Sequence, residues 1–130
     1  EDSSNTDFAL ARYNPDGTPD STFGIAGQVT TDFDGFNDDA FSVLVQPDGK
    51  LVAVGSAKNP TTFYDFAAVR YLSTGSIDTT FGAEGRVRTD FGAQGFDQAR
   101  SGVANGGGRF GHARTFVARL ARRCYLAVSA

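Results

Sequence analysis

The chain repeats itself with a period of 58 residues. Asp7-Phe8-Ala9 set against Asp65-Phe66-Ala67 opens a register that runs without a gap to Thr31-Asp32-Phe33 against Thr89-Asp90-Phe91. Between them Arg12-Tyr13 meets Arg70-Tyr71, Gly17 meets Gly75, Asp20 meets Asp78, and Thr22-Phe23-Gly24 meets Thr80-Phe81-Gly82. Fifteen of the 27 positions from 7 to 33 are identical, far above chance. A period of this size marks units that each bury one face against the next, stacked or arranged radially.

The unit reads as β throughout. Short apolar runs at Phe8–Tyr13, Gln28–Phe33, Phe41–Val45, Leu51–Gly55, Phe66–Leu72 and Arg86–Phe91 are bounded by Gly, Pro, Asp or Ser. Gln46-Pro47-Asp48-Gly49-Lys50 is a tight hairpin: Pro presets the backbone at its first turn position, and Asp-Gly accepts the left-handed conformation that closes it. Asn14-Pro15-Asp16-Gly17 and Ser73-Thr74-Gly75-Ser76 are the matching reversals of the two repeats. The expected fold is all-β, built of four-stranded sheets the size of a β-propeller blade. Residues 7–33 supply half a blade and 40–91 a full one. Residues 98–130 form an atypical basic tail with completing strands, giving two to two and a half blades in a single repeat-built domain.

The strings DFALARYNPDGTPDSTFG, GQVTTDF and VQPDGKLVAVGSA resemble the delta-60 repeat family over about residues 7–98. That family occurs in tandem in large bacterial surface or secreted proteins. The resemblance implies a propeller-like β-array in an extracellular or cell-surface bacterial setting, and it brings no catalytic motif. After Asp97 the pattern is lost: the counterpart of the Gln46–Lys50 hairpin is Val103-Ala104-Asn105-Gly106-Gly107-Gly108-Arg109-Phe110. The Arg, Ala and Gly enrichment there suits a shifted reading frame or a vector-derived end.

Charge divides the chain at the same point. Residues 1–97 hold all 15 acids and six bases, and residues 98–130 hold six Arg and no acid. A basic tail on an acidic body is expected to dock on an acidic surface, its own or a neighbour's. A nucleic-acid arm is disfavoured, because no aromatic cluster accompanies the Arg residues. No run approaches the roughly 18 apolar residues of a membrane-spanning helix, and no membrane partner is expected. One Cys and one His exclude a cysteine-rich or multi-histidine zinc site within one chain. A chain that starts and stops in mid-blade leaves complementary half-units at its two ends. It is therefore expected to form a homo-oligomeric ring, a trimer first and a dimer next, with the tail of one chain completing the half-blade of another.

Polar residues that recur in both repeats read as structural. Arg12 shares strand parity with Phe8 and Leu10, so it and Arg70 need partners at an apolar face, and Asp32 and Asp90 are the expected ones. Asp20 and Asp78 are placed to accept from backbone N–H groups two residues on. The unrepeated acids are different. Asp32, Asp34, Asn37, Asp38 and Asp39 crowd one Gly-containing loop, an oxygen-only set suited to Ca²⁺, although its spacing is not that of an EF-hand. A solvated acidic loop is the weightier alternative there. No other cofactor is expected. Phe63, Tyr64, Lys58 and Asn59 lie in a loop the blade pattern does not require, and they are the candidate ligand contacts, for a carbohydrate by stacking. His112 is expected at the surface and Cys124 as an apolar filler. The expected function is a non-catalytic binding or structural module. The alternative is a small hydrolase, a glycosidase above all, using Asp38 and Asp39 as its two carboxyl groups.

Overall fold

The computed structural model describes residues 5–61, 63–90 and the backbone of 126–129. Among these, β1 (Phe8–Tyr13), β2 (Gln28–Thr31), β3 (Asp38–Val45), β4 (Leu51–Lys58), β5 (Tyr64–Tyr71), β6 (Arg86–Thr89) and β7 (Leu126–Ser129) form two sheets. One is the antiparallel meander β3-β4-β5-β6, and the other has the order β2-β1-β7. The repeat is visible in the ladders: Phe8 faces Thr31 on β1–β2, and Phe66 faces Thr89 on β5–β6.

The hairpins form where Pro, Asp and Gly predict them. Gly49 has φ +84° and donates to Gln46 O at 2.9 Å, closing the β3–β4 turn. Gly17 and Gly75 close their reversals in the same way, with φ +86° and +90°. β3 and β4 are longer than the apolar runs suggest. The register slips between Ala40 and Ser42, and this bulge lets β3 begin at Asp38. β4 continues through Ser56 and Ala57, small residues that fit because this central strand is buried on both faces. A Cβ at Gly55 would run into the Asp39 carbonyl.

The core lies between the sheets. Phe8, Leu10 and Phe23 of the first unit pack on Ala53, Ala67, Val69 and Tyr71 of the second. Residues of opposite parity on β4 and β5, Val54 and Ala68, form a second cluster with the partly buried Val52, Phe66, Phe81 and Val87. Polar contacts at the Leu72–Gly75 turn and in the interior also tie the units together. Gly24 N–H donates to Thr74 O at 2.8 Å, Arg12 Nη1 donates to Ser73 O at 2.6 Å, and the Thr31 and Tyr71 hydroxyls meet at 2.6 Å in the interior.

Arg12 and Arg70 are paired within their own repeats, but with Asp20 and Asp78 rather than Asp32 and Asp90. Their Nε atoms lie 2.8 and 2.9 Å from the carboxylates. The guanidinium carbons sit 4.6 Å over the Phe23 ring and 4.7 Å over the Phe81 ring. The reason is register: with Phe8 opposite Thr31, Asp32 falls beside Asp7, at the other end of the strand from Arg12. Asp20 and Asp78 also accept from Thr22 and Thr80 N–H at 2.9 and 3.1 Å, the expected contact two residues on.

The tail also departs from expectation. β7 runs parallel beside β1 of its own chain, with Leu10 opposite Leu126, so this edge of β1 is filled within the chain. An antiparallel strand from a neighbour would have restored the blade pattern there. Asp97, the Val103–Phe110 segment, His112 and Cys124 lie outside the described residues.

Candidate functional site

Acidic residues converge where the first sheet hands over to the second. The β1–β2 register sets Asp7 and Asp32 opposite each other, one residue beyond the Phe8–Thr31 pair. The following loop folds back so that Asp38 opens β3 with its N–H on Thr6 O at 2.6 Å. One carboxylate oxygen from each of Asp7, Asp32 and Asp38 then lies within 4.8 Å of the others. Asp38 is 0% exposed. Its Oδ2 accepts from Phe33 N–H, while its Oδ1 is buried with no hydrogen-bond partner among the described residues. Asp32 Oδ1 accepts from Gly35 N–H at 2.8 Å, and Asp7 is exposed with no hydrogen bond or ion pair to any described residue.

Burial pushes the Asp38 carboxyl up to about 7; the Phe33 N–H pulls the other way, the charges of Asp32 and Asp7 raise it, and Arg88 lowers it. A buried carboxylate oxygen without a donor is costly. A cation among the three carboxylates would supply what that oxygen lacks.

The loop residues expected to act together are dispersed. Asp32 and Asp38 stay in the centre. Asp34 turns outward, 72% exposed, and pairs with Arg88 Nη1 at 2.9 Å. Asn37 Oδ1 accepts from Thr6 N–H at 3.3 Å. Asp39 follows Asp38 along β3 and so projects to the opposite face. Asp38 and Asp39 therefore do not face a common substrate position. Asp7 joins the centre in their place, although its recurrence as Asp65 marked it as structural. The signal that finds it is the strand register, which makes the residue before Phe8 the neighbour of the residue after Thr31.

The second repeat treats the same positions differently. Asp65 is buried, and Arg88 Nε lies 3.8 Å from its Oδ2. Arg88 faces Ala67 on β5–β6, and the residue at this ladder position in the first repeat, facing Ala9, is Thr30. The first unit thus has the acids without the arginine.

The predicted ligand loop lies at the same end of the molecule. Lys58 pairs with Tyr64 at the end of β4–β5, and its N–H donates to Asn37 O at 2.9 Å. Asn59 is committed to the loop: its Oδ1 accepts from Thr61 N–H at 3.0 Å, and its Nδ2 donates to Asp65 at 3.3 Å. Phe63 is half exposed. Arg88 connects the two regions, touching Asp34, Asp65 and Lys58 O. A cleft of about 410 Å³ adjoins the acidic centre, lined by Asp32, Phe33, Asp34, Glu84, Arg86 and Arg88, among others.

Matching ladders, matching turns and a core shared between the two units define an all-β repeat protein. Residues 1–23 and 46–81 match a family described as a domain of unknown function (DUF5122) beta-propeller, and the chain is similar to that family over these segments. No curated protein and no solved structure matches the chain.

Proposed function

We propose that this chain is a non-catalytic binding and structural module of a bacterial secreted or surface β-array, and that it takes Ca²⁺ at Asp7, Asp32 and Asp38. The observation that carries the reading is the unpartnered Oδ1 of fully buried Asp38, held against two other carboxylates. Hard oxygen donors from three separate chain segments, with exposed Asp7 and Asp32 leaving room for water, suit the six to eight ligands and loose geometry of Ca²⁺. Bound there, the ion ties the entry to β1, the exit of β2 and the start of β3, and so fixes one unit on the next. The half-exposed Phe63 beside Lys58 and Tyr64 offers a stacking surface for a carbohydrate. Self-association into a ring, a trimer before a dimer, belongs to the same reading.

Calcium titrated into chelator-stripped protein is expected to give one site per chain. Asp7→Asn and Asp38→Asn should each weaken it about tenfold or more, since affinity follows ligand charge, whereas Asp34→Asn and Asp39→Asn should leave it unchanged. Absence of heat, or heat indifferent to Asp7→Asn, removes the site. The hydrolase alternative requires two carboxyl groups facing one bond, an arrangement that Asp38 and Asp39 do not make. Turnover of any member of a chromogenic glycoside and ester panel, abolished by Asp38→Asn or Asp39→Asn, would install it instead.

A further inference from the structure

The contact between the two units of one chain can be read as a template, because both partners of that contact recur. On the receiving side, Phe23 is 1% exposed, Gly24 N–H is bonded to Thr74 O, and Val29 packs against the core. The repeat equivalents are Phe81, Gly82 and Val87. Phe81 is only partly buried where Phe23 is fully so, Val87 packs in the small cluster rather than on the shared core that Val29 touches, and Gly82 N–H has no partner among the described residues. Arg70 matches Arg12 in its bonds to Asp and Thr through Nε and Nη2. The Nη1 that Arg12 sends to Ser73 O has no counterpart bond in Arg70 among the described residues.

On the inserting side, Tyr71 is 0% exposed and Tyr13 is 37% exposed. Gly75 is packed so closely that a Cβ would lie 2.8 Å from Val29 Cγ2 and 2.9 Å from Gly24 N. At Gly17 a Cβ would meet nothing within 4 Å among the described residues. Among the described residues, the first unit therefore carries an insertion surface that is not inserted, and the second a receiving surface that is not filled.

We propose that these two surfaces fit each other between copies: Tyr13 and the turn ending at Gly17 of one chain seat on Phe81, Gly82 and Val87 of a second copy of this chain. In that contact Gly82 N–H and Arg70 Nη1 donate to backbone carbonyls of the incoming turn, and the Tyr13 hydroxyl meets Thr89 as Tyr71 meets Thr31. The contact is head-to-tail, so each copy offers one insertion surface and one receiving surface, the kind of interface that makes a ring where the rotation between copies closes. This inference rests on the self-association part of the proposed function and names the surface that performs it.

The test uses the full chain and light scattering. The unaltered protein is expected at a whole-number multiple of its 13.7 kDa. Gly17→Asn keeps a residue that tolerates the left-handed conformation but adds a side chain where the docked turn has no room. Val87→Lys places a charge in the receiving surface, with Thr89→Arg as its substitute if the first fails to fold. Each variant alone is expected to be monomeric with an unchanged far-ultraviolet spectrum. An equimolar mixture of the two retains one sound insertion surface and one sound receiving surface, and is expected to form a one-to-one dimer and nothing larger. An assembled Gly17→Asn protein, or a mixture that stays monomeric, overturns the surface and leaves self-association standing. A monomeric unaltered protein overturns both.

Discussion

Phe8 and Phe66 stand at the same ladder position of successive units, yet Phe8 is fully buried and Phe66 only partly so. Phe23 and Phe81 differ in the same sense, while Leu10 with Ala68 and Val29 with Val87 differ in their surroundings rather than in burial: the first of each pair joins the core shared with the second unit, and the other belongs to a small cluster of its own. The Arg–Asp pairs themselves show no such contrast, since Arg12–Asp20 and Arg70–Asp78 have nearly the same length and an equivalent Phe ring beneath each guanidinium. Residues that shape a unit are thus complete within it, whereas residues that join units acquire their role only when a neighbour is present. Paired substitutions at equivalent positions test this division directly.

The largest contrast should come from the aromatic pair. Phe8→Ala should destabilise by about 3–5 kcal/mol, the usual range for emptying a core aromatic site. Phe66→Ala in dilute protein should lose roughly half as much, in proportion to the area it covers. Equal losses in chemical denaturation would mean that Phe66 is covered as fully as Phe8.

Next come the turn glycines. Gly75→Ala combines a left-handed backbone with a close approach to Val29 and Gly24, and should cost about 2–4 kcal/mol. Gly17→Ala bears only the backbone strain, about 1–2 kcal/mol. The difference between the two midpoints measures the contact itself.

A smaller effect is expected at the tyrosines. Tyr71→Phe removes a buried bond to Thr31 and should cost about 1 kcal/mol, whereas Tyr13→Phe should leave the unassembled chain unchanged. A loss at Tyr13 as large as at Tyr71 would contradict the division of roles.

The last difference is one of pH. The Thr80 hydroxyl, then Lys50, hold Asp78 well below its ordinary 3.8. The Thr22 hydroxyl lowers Asp20. A carboxylate whose folded value lies below its unfolded one adds stability that is complete above about pH 4 and is lost as pH falls through the folded value. Stability measured between pH 5 and pH 2 should therefore fall, less steeply in Asp78→Asn, with a smaller flattening in Asp20→Asn.

The order of the four-stranded meander, the turn positions and the pairing of each Arg with an Asp of its own repeat are legible in the sequence, because local turn chemistry and the repeat specify them; the parallel β7 is not. Asp20 and Asp78 were legible as turn acceptors but not as the Arg partners, since that depends on which end of β2 meets which end of β1. Register is also what concealed Asp7. The extension of β3 to Asp38 depends on a bulge at Phe41 that no apolar pattern announces. The inserting and receiving surfaces follow from repeat equivalence, but only the burial of Gly75 and Tyr71 reveals which residues matter.

The joint between units has one further property. Both hydrogen bonds that seat the Leu72–Gly75 turn end on main-chain oxygens, those of Ser73 and Thr74. Main-chain oxygens are the same whatever side chain accompanies them, so residues 73 and 74 are free to drift over evolutionary time while the seat still recognises the turn. Ser73-Thr74 and Pro15-Asp16 already illustrate such drift at one repeat position. A connection addressed to the backbone is permissive: any unit that keeps the bend and its closing glycine is an acceptable neighbour. Arrays built this way can lengthen by duplication without new complementary side chains. The same permissiveness gives them little means of rejecting a related unit from another chain.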